Sequence, residues 1–127
     1  MKILLAEDNS ILANLYKSIL EKAGHEVYVE PDGEQALYRM RQWEPDLVLL
    51  DIKLPKKTGY EVLAERKGDP DLEKIPVIVL TGLDESETRR KAEDLGADGY
   101  IHKVKVEIDP LLGMIEKLVP SDKSSED

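Results

Sequence analysis

Cysteine is absent from this chain of 127 residues, which rules out disulfides and thiolate metal sites and suits a reducing compartment. Phenylalanine is absent too. One Trp and five Tyr are the whole aromatic content, so the core has to be aliphatic. Positive charge is scarce: 18 Lys and Arg stand against 27 Asp and Glu, a formal net charge of −9. That balance argues against nucleic acid, whose recognition needs a basic patch, and suits basic or metal partners. No apolar run approaches the roughly 20 residues that cross a bilayer. Only four apolar residues separate Met1-Lys2 from Glu7 and Asp8, too few for a signal peptide. The expectation is one cytoplasmic domain over residues 1–119, with 120–127 a disordered polar tail.

Two textures alternate along the chain. "KILLAE" is a short apolar run. "SILANLYKSILEKAG" carries Ile11, Leu12, Leu15, Ile19 and Ala23 at helical spacing, with Asn9 or Ser10 to cap it and Gly24 to end it. "HEVYVE" reads as a strand, and "PDGEQALYRMRQW" as a helix with Ala36, Leu37 and Met40 inward. "DLVLLD" is a third strand, "YEVLAER" a third helix and "IPVIVLT" a fourth strand. "ESETRRKAEDLG" is a polar helix with little beyond Ala92 and Leu95 to bury. "DGYIHK" is a fifth strand, and Asp109-Pro110 open a last helix. Apolar strands joined by helices define an α/β (βα)5 fold: a doubly wound parallel five-stranded sheet with helices on both faces.

Ligands of open parallel sheets bind beyond the carboxyl ends of the strands. Strand one ends on Glu7 and Asp8, strand three on Asp51, strand four on Thr81 and strand five on Lys103. Each has an ordinary reading when taken singly: Asp8 as a helix cap, Thr81 as structural, Lys103 as a solvated charge. Together they gather carboxylates, a hydroxyl and an ammonium at one end. Neighbouring carboxylates call for a cation, and oxygen-only donors favour Mg²⁺. With Lys103 and Thr81 such a site suits a phosphoryl group, and Asp51 is its candidate nucleophile.

The motifs "LLAEDN", "DLVLLDIKLPKKTGYEVL", "IPVIVLTG" and "GADGYIHK" resemble those of response-regulator receiver domains of the single-domain chemotaxis type, over residues 2 to 119. The resemblance implies the flavodoxin-like strand order 2-1-3-4-5. It implies a two-component phosphorelay in which Asp51 accepts phosphate from a histidine kinase or histidine phosphotransfer protein. Asp8, Asp51 and the backbone carbonyl of Lys53 would ligate Mg²⁺, with Glu7 acting through a water. Thr81 and Lys103 would hold phosphoryl oxygens, and Tyr100 would turn inward as Thr81 moves. Such a chain is a signalling protein rather than an enzyme. It is expected to act as a monomer or weak dimer on an unknown downstream protein, without nucleic acid or membrane.

Three departures stand out. Val104 follows Lys103 where the family usually has proline, so a trans bond is expected there. "VKVEIDP" is a longer connection to the last helix than usual. Lys53 and Leu83 occupy the two positions that, by resemblance, tune the lifetime of the phosphate. His25 and His102 lack metal-ligand spacing and read as structural or surface residues; Trp43 falls at the far end from the site. Three rival readings are a haloacid-dehalogenase-like phosphohydrolase, a flavin module and a docking module independent of phosphorylation. The first needs an acid where Lys53 stands, and the second a phosphate-cradling loop where "AEDNS" is acidic. Nothing after Val119 leaves room for an effector, so output is expected through protein contact, unless the receiver is cut from a longer chain.

Overall fold

The computed structural model describes residues 1–82, 86–102, 112, 113 and 115–117. Leu83, Lys103, Val104, the Asp109-Pro110 helix start and the 120–127 tail, all subjects of expectations above, lie outside them. The chain runs β1 (Lys2–Ala6), α1 (Ser10–Lys22), β2 (Glu26–Glu30), α2 (Gly33–Trp43), β3 (Leu47–Leu50), α3 (Gly59–Lys67), α4 (Pro70–Glu73), β4 (Val77–Thr81), α5 (Ser86–Asp94) and β5 (Gly99–His102). Residues 112, 113 and 115–117 are helical. The strands form one parallel sheet in the order β2-β1-β3-β4-β5, as expected.

Successive strand side chains point to opposite faces, and here both faces are apolar. Leu4, Ala6, Val48, Leu50, Val77 and Val79 face one core with Ala36, Leu37 and Met40 of α2, Val62 and Leu63 of α3, Leu72 of α4 and Ala92 of α5. Ile3, Leu5, Leu47, Leu49, Ile78 and Leu80 face the other with Ala13, Tyr16 and Leu20 of α1 and Ile115. The sheet is therefore doubly wound, and β1 and β3, two of its three inner strands, are almost wholly buried.

The helices start and stop on local chemistry. The Asn9 side chain accepts from the backbone N–H groups of Ile11 and Leu12, and Asp32 accepts from that of Gln35. Thr58 and Glu61 form a reciprocal capping box on α3. Gly24 follows α1 with φ of 97°, a conformation that favours glycine.

Two readings of the helices change. In α1 the buried stripe is Ala13, Tyr16 and Leu20, whereas Ile11 is 79% and Leu15 53% exposed. Of the other residues at that spacing, Leu12 is partly buried against the second core, Ile19 is half-buried and Ala23 is exposed. Both stripes have helical spacing, and the wholly aliphatic one is buried only in part. The sheet side takes small Ala13 and the Tyr16 ring. The second change is the short helix α4, in the stretch after "YEVLAER". Asp69 caps it and Pro70 occupies its first turn, a start signal that was present in "DPDLE".

Candidate functional site

The strand order reverses direction at β1 and β3: α1 carries the chain to β2 on one side, and α2 brings it back across to β3. The crevice between the carboxyl ends of β1 and β3 is where such sheets place ligands. Glu7 and Asp8 follow β1 there, and Asp51 follows β3. The Asp51 N–H donates to the Ala6 carbonyl at 3.1 Å, and the Glu7 N–H to the Glu30 carbonyl at 3.1 Å. Rigid backbone ladders thus deliver both residues to the same edge.

Carboxylate oxygens of Glu7, Asp8 and Asp51 lie within 4.8 Å of one another. Glu7 is 2% and Asp51 5% exposed, while Asp8 faces solvent. Local amides orient two of them. The Asn9 N–H donates to Glu7 Oε2 at 3.0 Å, and the Lys53 N–H to Asp51 Oδ1 at 3.3 Å. Three acids this close, two of them buried, repel one another when ionised, and a bound cation relieves that repulsion. All donors are oxygens and one side is open to water. This set fits Mg²⁺, which keeps waters and takes only one or two carboxylates.

The loop after Asp51 is fixed from two directions. The Gly59 N–H donates to the Ile52 carbonyl at 2.8 Å, and Gly59 packs directly against the backbone of Asp51. A Cβ on Gly59 would overlap the Asp51 carbonyl and lie 2.8 Å from Ile52 Cα, so only glycine fits. On the other side Gly33, the first residue of α2, donates to the Pro55 carbonyl at 3.3 Å and abuts the Lys57 backbone. Lys56, with φ of 67°, brings its ammonium to 3.9 Å from Asp32, and Lys57 pairs with Glu65 of α3. Neither glycine was singled out from the sequence. The one available signal was that each opens a helix, a position where glycine has no capping advantage.

Thr81 ends β4, paired in register with His102 of β5; Lys103, next in the chain, lies outside the described residues. Tyr100 is half-buried in β5 against the first core, with Arg89 of α5 5.9 Å from its ring centroid. The structure thus brings Glu7, Asp8, Asp51 and Lys53 together and sets the end of β4 two strands from β1 in the same sheet. His25 meets the amino-terminal nitrogen of Met1 at 3.2 Å, and His102 Nε2 meets the Gly82 carbonyl at 2.9 Å. Trp43 ends α2, its carbonyl bound by Lys2 Nζ before β3 begins, at the opposite end of the sheet from the acids.

These features define a family. The chain belongs to the response regulator receiver domains, whose family model matches residues 3–116. It is 34% identical over 101 residues to the polar-differentiation response regulator DivK of Brucella anthropi, covering 80% of this chain and 82% of that protein. It superposes with a TM-score of 0.88 on the BeF3-activated N-terminal receiver domain of RstA from Klebsiella pneumoniae, at 31% identity, covering 95% of this chain and all of that one. A phosphorylated cyanobacterial phytochrome response regulator, RcpA, matches at 37% identity with a TM-score of 0.79 over 94% of each chain. Against several other curated relatives the chain spans only 15% to 54% of their length. Among the described residues, no helix is long and apolar enough to cross a membrane.

Proposed function

We propose that this chain is a phosphoacceptor switch in a two-component relay. In this reading Asp51 takes a phosphoryl group from the phosphohistidine of a kinase or phosphotransfer protein. The observation that carries it is the convergence of Glu7, Asp8 and Asp51 at the switch point of the sheet. An Asp51 carboxylate oxygen attacks phosphorus as the phosphorus–nitrogen bond of the donor breaks, and the imidazole leaves with the bonding pair. Mg²⁺ would be held by Asp8, Asp51 and the Lys53 carbonyl, with Glu7 reached through a water; it supplies neutralisation of the charge that builds on the phosphoryl oxygens. Thr81 and Lys103 take two of those oxygens, and Tyr100 follows Thr81.

Phosphorylation adds roughly −1.5 to −2 charge and strong acceptors at the edge of the sheet. That charge biases the β4–α5–β5 face, where an unidentified protein binds. Exposed Ile11 and Leu15, on α1 just after Asp8, offer apolar ground for the donor to dock. A cytoplasmic monomer or weak dimer suits this exchange of partners. Incubation with a phosphorylated histidine phosphotransfer protein and Mg²⁺ tests the reading. Transfer of label to the wild-type chain, abolished in Asp51→Asn and by chelation, is expected. Equal labelling of Asp51→Asn overturns Asp51 as the acceptor.

A further inference from the structure

The edge strand β5 is half-buried along its whole length and is tied to the rest of the fold at both ends by polar contacts. At the end far from the site, Asp98 precedes the strand. Its carboxylate accepts from the Val77 N–H at 2.9 Å and from Arg66 at 3.0 Å, while its own N–H donates to the Val77 carbonyl at 2.8 Å. Arg66 is buried and reaches the Ile75 and Gly96 carbonyls as well. At the near end, His102 Nε2 lies 2.9 Å from the Gly82 carbonyl. Gly82 directly follows Thr81, and Thr81 is the register partner of His102.

We infer that His102 is the latch of the switch: its hydrogen bond to Gly82 holds the backbone at Thr81 and Gly82 in its resting position. This rests on the phosphoacceptor reading above. A carbonyl only accepts, so Nε2 carries the proton. It does so in the neutral Nε2–H tautomer and in the imidazolium alike, so the latch persists in both charge states. The far end, away from the acids, has a buried guanidinium with three acceptors; the near end adjoins Thr81 and carries the His102–Gly82 hydrogen bond. The near end is the one within reach of the site. Gly82 is exposed, and a Cβ built on it would meet nothing within 4 Å among the described residues. A hydrogen bond of this kind shifts an equilibrium by about two- to thirteen-fold, enough to tune a switch without locking it. His102 acts through Gly82 and is a positioning residue, not a catalytic one.

The test compares His102→Ala with His102→Gln, whose amide keeps an N–H donor on a flexible side chain. Hydrogen exchange of peptides containing Gly82 is measured without metal or phosphate, and beryllofluoride affinity with Mg²⁺. Expected are exchange about two- to thirteen-fold faster and beryllofluoride binding tighter by a similar factor in His102→Ala, with His102→Gln close to wild type. Unchanged exchange in His102→Ala overturns the latch, as does equal weakening of beryllofluoride binding in both variants. Should His102→Ala fail to fold, the unaltered chain still decides. A slowly exchanging His102 Nε2–H coupled to the Gly82 carbonyl in NMR supports the latch, and its absence overturns it. A wild-type chain that binds no beryllofluoride sinks the phosphoacceptor reading, while the exchange measurement still judges the latch.

Discussion

Arg66 donates to Asp98 at 3.0 Å across the space between α3 and the start of β5, and does so from a side chain only 6% exposed. The same guanidinium binds the Ile75 carbonyl ahead of β4 and the Gly96 carbonyl after α5. One buried cation thus joins α3, β4 and β5 at the end of the sheet away from the acids. A planar fork of donors suits this task, and the single ammonium of a lysine does not.

Replacing Arg66 by Met keeps most of the volume and removes every donor. Two carbonyls then lose the guanidinium, the Asp98 carboxylate keeps the Val77 N–H but loses its charged donor, and stability should fall by about 2–3 kcal/mol. Asp98→Asn should cost less, because its amide oxygen still accepts from Val77. Urea unfolding checks both, with a lowered midpoint and an unchanged slope expected.

Gly59 makes a second prediction. In Gly59→Ala the new methyl meets the Asp51 carbonyl, so the phosphoacceptor loop or the start of α3 must move. Overpacking of this kind costs about 1–3 kcal/mol. Because the displaced atoms belong to Asp51 and Ile52, Mg²⁺ affinity should fall as well, which a titration followed by NMR reads directly. Gly68→Ala, whose Cβ would meet only the Ala64 and Glu65 carbonyls at 3.9 Å, should leave Mg²⁺ binding unchanged.

The corrected face of α1 is testable in the same way. Leu20 is fully buried, and Leu20→Ala should cost about 2–5 kcal/mol. Ile11→Lys and Leu15→Lys should change stability by no more than about 0.5 kcal/mol. Thermal unfolding of the three variants distinguishes the two stripes.

Much of this fold lay open in the sequence because strands and acids obey local rules. Continuous apolar runs such as "LVLL" occur where both faces of a sheet are covered, and each run stops on a polar residue because the sheet stops there. The acidic cluster was legible for the same reason: Glu7, Asp8 and Asp51 directly follow strand ends. Arg66 was not legible, since its acceptors come from residues 75, 96 and 98, and no local pattern marks a helix arginine as buried. Gly33 and Gly59 escaped for a related cause. Their role is to leave space for a backbone that arrives from elsewhere in the chain. On α1, two apolar stripes of equal period competed, and only the packing of the sheet chose between them.

His25 supplies a pH dependence. Burial, then the neighbouring amino-terminal ammonium, hold its pKa below the ordinary 6.5, with Glu116 pulling in the opposite direction. The folded chain therefore prefers neutral imidazole. The stability associated with that preference is complete above the unfolded value of 6.5 and is lost as pH falls from there through the lowered folded value. The difference in melting temperature between wild type and His25→Gln, followed across this range, should shift against the wild type on acidification. A constant difference would remove His25 as the cause.

The most direct measurement is the intact mass of the chain after incubation with acetyl phosphate and Mg²⁺. A single added phosphoryl group is expected, labile to hydroxylamine as an acyl phosphate is, and missing from Asp51→Asn and from samples containing a chelator. An unchanged mass, under conditions that phosphorylate another receiver domain, contradicts a phosphoacceptor role for Asp51.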